Sequence, residues 1–211
     1  MPYESKVLGI TGGVGAGKST VLEYLHDKYG AYLIRCDDVA REIQESPGPC
    51  FEELSALLAP YDCIRSGKLD RQQTAKVLFA DPALLQRVND IVHPAVREEV
   101  DRRIALYKRS VPLIVIEAAL LIQAGYASVC DEIWFVYADR ETRAARLENS
   151  RGYSAGRIHS MFEAQPEDVF FQEHSQLMID NSSDRVQNTY EQIDRGLMEH
   201  GLLQHSQREQ R

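Results

Sequence analysis

Apolar positions along the chain alternate between two kinds of run. Short, continuous, β-branched stretches at 6–11, 31–36, 113–116, 132–137 and 177–180 have the pattern of strands buried on both faces. Between them, 19–29, 140–149 and 184–199 carry apolar residues at helical spacing. Gly30 is placed to stop the first of these helices, and Asp37 or Asp38 to cap the next, 39–45, which Ser46-Pro47-Gly48-Pro49 ends. From there to Arg109 the period stays helical, over 50–58, 71–79 behind the cap Asp70, 83–92 after Asp81-Pro82, and 94–108, and no β-periodic run interrupts it. Strands alternating with helices predict an α/β chain with a parallel sheet of about five strands, flanked by helices through right-handed crossovers.

The division this implies is a single domain over 1–203. Its core takes in 1–37, 110–149 and 175–203, a helical insertion occupies 38–109, a lid 150–174, and 204–211 is a polar tail expected to fray. With 211 residues, 44% of them apolar, one good core is affordable. A net charge of −8 argues against a general nucleic-acid or membrane surface, while leaving room for small anions at local sites. Cys36, Cys50, Cys63 and Cys130 lack the spacing of a zinc site or a disulfide framework. The N-terminal Met1-Pro2-Tyr3-Glu4-Ser5-Lys6 runs into the first strand without a secretory pattern, and the greasiest stretch, 111–122, is broken by Pro112 and Glu117 and too short to span a bilayer. A soluble cytoplasmic protein, a monomer or weak homo-oligomer, is expected.

Chemistry enters at Gly12-Gly13-Val14-Gly15-Ala16-Gly17-Lys18-Ser19-Thr20, which fits G-x-x-x-x-G-K-[ST] between a predicted strand and a predicted helix. Glycines let the backbone come close to a ligand, and successive N–H groups can turn inward as an anion nest at the helix N-terminus. The Lys18 ammonium would reach β- and γ-phosphates, and the Ser19 hydroxyl would ligate Mg²⁺, with Asp37 or Glu117 assisting through water. The loop alone suits nucleotide kinases, metabolite kinases, GTPases and motor ATPases. An N-K-x-D guanine reader is missing, and the length suits a small-molecule kinase using ATP.

Several short pieces, in order, then narrow the choice: Asp37-Asp38-Val39-Ala40-Arg41, Gly67-Lys68-Leu69-Asp70-Arg71, Val77-Leu78-Phe79, Val92-His93-Pro94, Leu120-Leu121, and Ile179-Asp180-Asn181-Ser182. With the phosphate loop, these resemble the dephospho-CoA kinases over nearly the full length. The resemblance implies a three-layer P-loop NTPase fold and ATP-dependent phosphorylation of the ribose 3′-hydroxyl of dephospho-CoA, with the insertion holding the acceptor. It implies that Asp37 receives the hydroxyl proton, that Arg146 meets the transferring phosphoryl group, and that Arg143, on the same helix face, contacts nucleotide. Arg41, Arg71, His93 and Leu120 are implied for the acceptor. Bland readings stand beside these: a helix cap for Asp37, surface ion pairs for Arg41 and Arg71, a structural His93-Pro94, and a solvated face for Arg143.

The chain departs from the family pattern in places. Arg35 stands where an aspartate is usual, and Glu117-Ala118-Ala119-Leu120-Leu121-Ile122-Gln123 lacks a proline, an aromatic and a final glutamate. Ser150, Met161 and Phe171 replace Arg, Arg and Lys, with Arg151 and Arg157 nearby, and Ser175-Gln176 replaces an Ala-Asp pair; Gln165 is kept. A kinase for another nucleoside or small alcohol, or a nucleotide-binding protein without transfer activity, stays open on these grounds.

Overall fold

A computed structural model describes residues 4–203; the tail expected at 204–211 lies outside the described residues. In chain order the elements are β1 (Lys6–Thr11), α1 (Lys18–Tyr29), β2 (Tyr32–Arg35), α2 (Cys36–Glu45), α3 (Pro49–Leu58), β3 (Ile64–Arg65), β4 (Lys68–Leu69), α4 (Arg71–Ala80), α5 (Pro82–Tyr107), β5 (Leu113–Glu117), β6 (Glu132–Tyr137), α6 (Arg140–Arg151), α7 (Ala155–Glu163), α8 (Asp168–Glu173), β7 (Leu177–Asp180) and α9 (Val186–Glu199). Contacts divide them into two compact units, Met1–Ile34 with Leu106–Arg211, and Arg35–Ala105.

The first unit is built on a parallel five-stranded sheet in the order β2-β5-β1-β6-β7. Alternation along the strands sends Leu8, Ile10, Leu113, Val115, Trp134 and Val136 to one face, where Val21, Leu22 and Leu25 of α1 and Ile193 and Leu197 of α9 close over them. On the other face lie Gly9, against Leu121 and Cys130, and Phe135, whose ring stacks on Phe171 at 5.2 Å. Phe171 is 1% exposed. The position where the family resemblance places a lysine is therefore part of the core here, and its apolar ring suits that surrounding. Register matters for function: Ile10 pairs with Glu117, so β1 and β5 end together and Glu117 lies beside the chain as it leaves Thr11.

The second unit is largely helical, with three departures from the sequence pattern. α5 runs unbroken through Pro94, although proline removes a helix hydrogen bond and normally marks a boundary. Its buried residues Leu84, Val88, Val92, Val96, Val100 and Ile104 recur every four residues across the proline, and continuous burial of that stripe outweighs the lost bond. A small antiparallel hairpin, β3 with β4, interrupts the helices; Ser66 (φ 50°) and Gly67 (φ 74°) make its two-residue turn, a local signal that periodicity over longer windows passes by. Finally, α2 starts at Cys36 with Arg35 at the N-cap, so neither Asp37 nor Asp38 caps it. Both sit inside its first turn, where negative charge is stabilised by the helix dipole.

Charge pairs tie this unit together: Arg103 donates to Glu42 at 2.6 Å and to Glu99 at 2.7 Å, and Arg102 donates to Glu99 at 2.7 Å. Hydrogen bonding from Arg102, joined by Arg103 and opposed by burial, holds the Glu99 carboxyl down to about 2 against an ordinary 4.5. A depressed carboxyl contributes stability above its unfolded value and loses it as pH falls through the folded one. Glu99→Gln is therefore expected to lower stability at pH 7 by about 1 kcal/mol, most of the nominal value being screened by solvent. Denaturant midpoints measured from pH 5 down to pH 2 should fall less steeply in the variant than in the parent.

Candidate active site

The loop between β1 and α1 has the dihedral alternation of an anion nest: Gly15 (φ 79°) and Gly17 (φ 90°) take left-handed conformations around Ala16, ahead of the N-terminus of α1. What holds it there is the fate of its carbonyls. Gly12 O accepts from Lys18 Nζ at 2.9 Å, Gly13 O from the Ala16 N–H at 3.2 Å, Val14 O from Arg143 Nε at 2.9 Å, Ala16 O from Asn181 Nδ2 at 2.8 Å, and Gly17 O from the Thr20 N–H at 3.1 Å. With the acceptors tied down, the loop presents donors to an incoming anion. The packing behind it is tight enough that a Cβ on Gly13 would lie 2.3 Å from Arg143 Nη2 and one on Gly17 2.1 Å from Asn181 Nδ2. These glycines are thus demanded by the protein behind the loop as well as by a ligand in front.

The clamping residues come from two directions. Asp139 caps α6, its side chain accepting from the Thr142 N–H at 2.8 Å, a bond that holds its carboxyl below the usual range. From that helix Arg143 and Arg146 project together, as their i, i+3 spacing predicts. Arg146 donates to Asn181 O at 2.8 Å and lies 3.5 Å from Ala16 O. Arg143 is 8% exposed, and its guanidinium sits 4.6 Å above the Phe162 ring and 3.5 Å from Asp168. Burial pulls its pKa below the ordinary arginine value, with Asp168 pulling the other way. The bland reading of a solvated face is excluded for this residue. Asn181, just past β7, is buried, and Thr189 of α9 donates to its Oδ1 at 2.7 Å. In front of the loop, Lys18 Nζ lies 3.7 Å from the Glu117 carboxylate, both side chains mostly shielded. Ser19 is exposed in the first turn of α1, with Thr20 beside it.

The remaining residues read from the sequence are less concentrated. Leu120, past β5, is 52% exposed. In the second unit Asp37 is exposed in the first turn of α2, and His93 is exposed midway along α5. Arg41 pairs with Asp38 at 3.3 Å and Arg71 pairs with Glu45, all on exposed side chains. Exposed pairs of this kind contribute little to stability, so both arginines can exchange partners at low cost.

A family model described as dephospho-CoA kinase matches residues 6–187. The chain belongs to the dephospho-CoA kinase family. Dephospho-CoA kinase of Geobacter sulfurreducens is 34% identical over 92% of this chain and 95% of its own length. Among solved structures, TT1252 from Thermus thermophilus superposes with a TM-score of 0.80 at 26% identity, covering 93% of this chain and 98% of that one. Dephospho-CoA kinase from Campylobacter jejuni, at 16% identity, superposes with a TM-score of 0.65 over 92% of this chain and 97% of its own. The fold is that of P-loop kinases.

Two residues that contact the loop had no role assigned from the sequence. Asn181 stood in a quoted motif and Gln165 among positions kept, yet no local pattern tells that either side chain meets a loop over a hundred residues earlier. Asn181→Ala would strip a buried acceptor, Ala16 O, of its short bond and leave the Thr189 hydroxyl without one. Denaturant unfolding should show a loss of about 2 kcal/mol, while Asn188→Ala on exposed α9 surface should change stability by less than about 0.5 kcal/mol.

Proposed function

We propose that this chain transfers the γ-phosphoryl group of ATP to the ribose 3′-hydroxyl of dephospho-CoA, giving CoA and ADP, the last step in making that cofactor. The observation that carries the reading is the phosphate loop with its carbonyls tied outward, on a chain of the dephospho-CoA kinase family. The phosphates of ATP would rest on residues 12–20. Lys18, now bonded to Gly12 O and near Glu117, can swing its ammonium onto the β- and γ-oxygens because a lysine binds as a mobile point charge. Arg146, which donates to Asn181 O at 2.8 Å and lies 3.5 Å from Ala16 O, would turn its fork onto the transferring group and spread its charge.

Asp37 is the acceptor-side carboxylate in this reading. As the 3′-oxygen bonds to the γ-phosphorus and the bond to the ADP oxygen breaks, the hydroxyl proton passes to Asp37, and the negative charge leaves on ADP. Arg41 and Arg71, loosely paired at the surface, would grip the acceptor's phosphates, with His93 and Leu120 along its arm. In this reading Arg143 acts on the nucleotide through the loop, its Nε donating to Val14 O, its Nη2 to Gln165 and its Nη1 to Asp168.

A divalent cation fits the donor set. Among the described residues no cluster of three or more His, Cys, Asp or Glu could cage a metal, which suits Mg²⁺, a cation held largely by phosphates and water with one or two protein oxygens. Ser19 would supply the hydroxyl and Glu117 an outer carboxylate; the ion's contribution is to neutralise charge between β- and γ-phosphates. All four cysteines are outside disulfides, which suits work in a reducing cytoplasm, and no helix among the described residues is long and apolar enough to cross a membrane.

Mass spectrometry of a mixture of protein, Mg-ATP and dephospho-CoA should show the 3′-phosphorylated product in step with ADP. ADP release without that product would overturn the assignment. Lys18→Ala is expected to cut turnover by about 10³-fold. Asp37→Asn should slow transfer by about 10²-fold at nearly unchanged ATP affinity, and transfer at the parent rate would remove Asp37 from the proton's path.

A further inference from the structure

The tip of the phosphate loop is held by side chains from outside it. Gln165, in the turn between α7 and α8, accepts the Val14 N–H through Oε1 at 2.9 Å, and Arg143 donates Nε to the Val14 carbonyl at 2.9 Å. The same Oε1 of Gln165 accepts Arg143 Nη2 at 3.3 Å, closing a ring around one residue's peptide groups. Arg143 is fixed from behind by Asp168 and by the face of Phe162. Both hydrogen bonds of Gln165 in this ring use its oxygen, and neither uses its amide nitrogen. The Val14 N–H is spent on protein, and the guanidinium lies against Gly13, with Nη2 2.3 Å from where a Cβ there would stand.

A glycine-rich loop has more backbone freedom to lose on ordering than any other kind of segment. Fixing its tip before a ligand arrives removes that ordering cost from binding. We propose that Gln165 and Arg143 are positioning residues for nucleotide binding: they lock the Val14 peptide, and through it the Gly15–Ala16–Gly17 nest, without touching phosphate. The segment that follows α6 thereby sets the affinity of the phosphate loop. The proposal rests on the loop's being the nucleotide site, as in the reading above, and on nothing about the acceptor.

Because only the oxygen of Gln165 is used, a carboxylate can replace the amide, and the two roles open to this residue make opposite predictions. Calorimetric titration of the full chain with ADP, without acceptor, tests them. Gln165→Ala should weaken ADP binding about tenfold, the consequence of one lost charge-assisted network, and Gln165→Glu should restore most of that loss. Arg143→Lys, which keeps the charge but cannot span Val14 O and Gln165, should also lose about tenfold, equally for ADP and a non-hydrolysable ATP analogue. Since both residues act on one peptide, the double variant Gln165→Ala/Arg143→Lys should lose little more than the worse single variant.

If Gln165→Glu binds more weakly than Gln165→Ala, the amide faces phosphate and the proposal is wrong. Additive losses in the double variant, or an Arg143→Lys loss confined to the ATP analogue, would overturn it equally. A merely structural role would lower the thermal midpoint of the unliganded variants and leave the ADP affinity of the folded fraction intact, which also sinks it. Should Gln165→Ala fail to fold, Gln165→Glu against the parent and Arg143→Lys still decides. Parent protein that binds ADP but never phosphorylates dephospho-CoA would remove the proposed function and leave these comparisons standing; a parent that binds no ADP removes the nucleotide site on which both rest.

Discussion

Carbonyl groups, rather than the amides that meet a ligand, are what the architecture of this protein is organised to hold. A loop that offers donors to a triphosphate must first dispose of its own acceptors, because an acceptor turned inward would repel the anion and an acceptor buried without a partner is costly. Here the disposal is shared among Lys18, Arg143, Arg146 and Asn181, three of which come from elements far along the chain. Strand order brings them in. β1 lies centrally, with β6 and then β7 on one side, so that α6 and the turn after β7 both start from strands near the loop.

The same constraint explains where positive charge is spent in a chain of net charge −8. Arg143 is buried at a cost in solvation that draws its pKa down, and its compensation is a set of fixed acceptors, Val14 O, Gln165 Oε1 and Asp168, with an aromatic face. The insertion uses charge differently. Arg103 and Glu99 form a shielded pair, extended by the exposed Glu42 and Arg102, that secures α2 to α5, whereas Arg41 and Arg71 sit in pairs exposed on both sides.

Phe171 and Pro94 illustrate how much a residue's meaning depends on what it packs against. Phe171, where the family usually has a lysine, is buried with its ring stacked on Phe135 of β6, because α8 lies on the sheet. A proline expected to divide two helices sits within one, because the stripe from Leu84 to Ile104 buries continuously on either side of it. Asp37 and Asp38, favoured at caps by side-chain chemistry, stand two and three residues past the cap, within the first turn, since the helix begins directly where β2 ends.

Strand positions, the phosphate loop and the family were legible in the sequence because each depends on short-range properties. Buried parallel strands must be apolar throughout, a nest must have glycines at fixed intervals, and Lys18 and Ser19 must follow them directly. The order of strands, the short hairpin at 64–69, and the contacts of Gln165, Asn181 and Arg143 with the loop were decided only by the tertiary structure. Hydrogen bonds to a loop carbonyl or amide depend on the partner's position in space, and partners over a hundred residues distant leave no periodicity or spacing by which the chain could announce them.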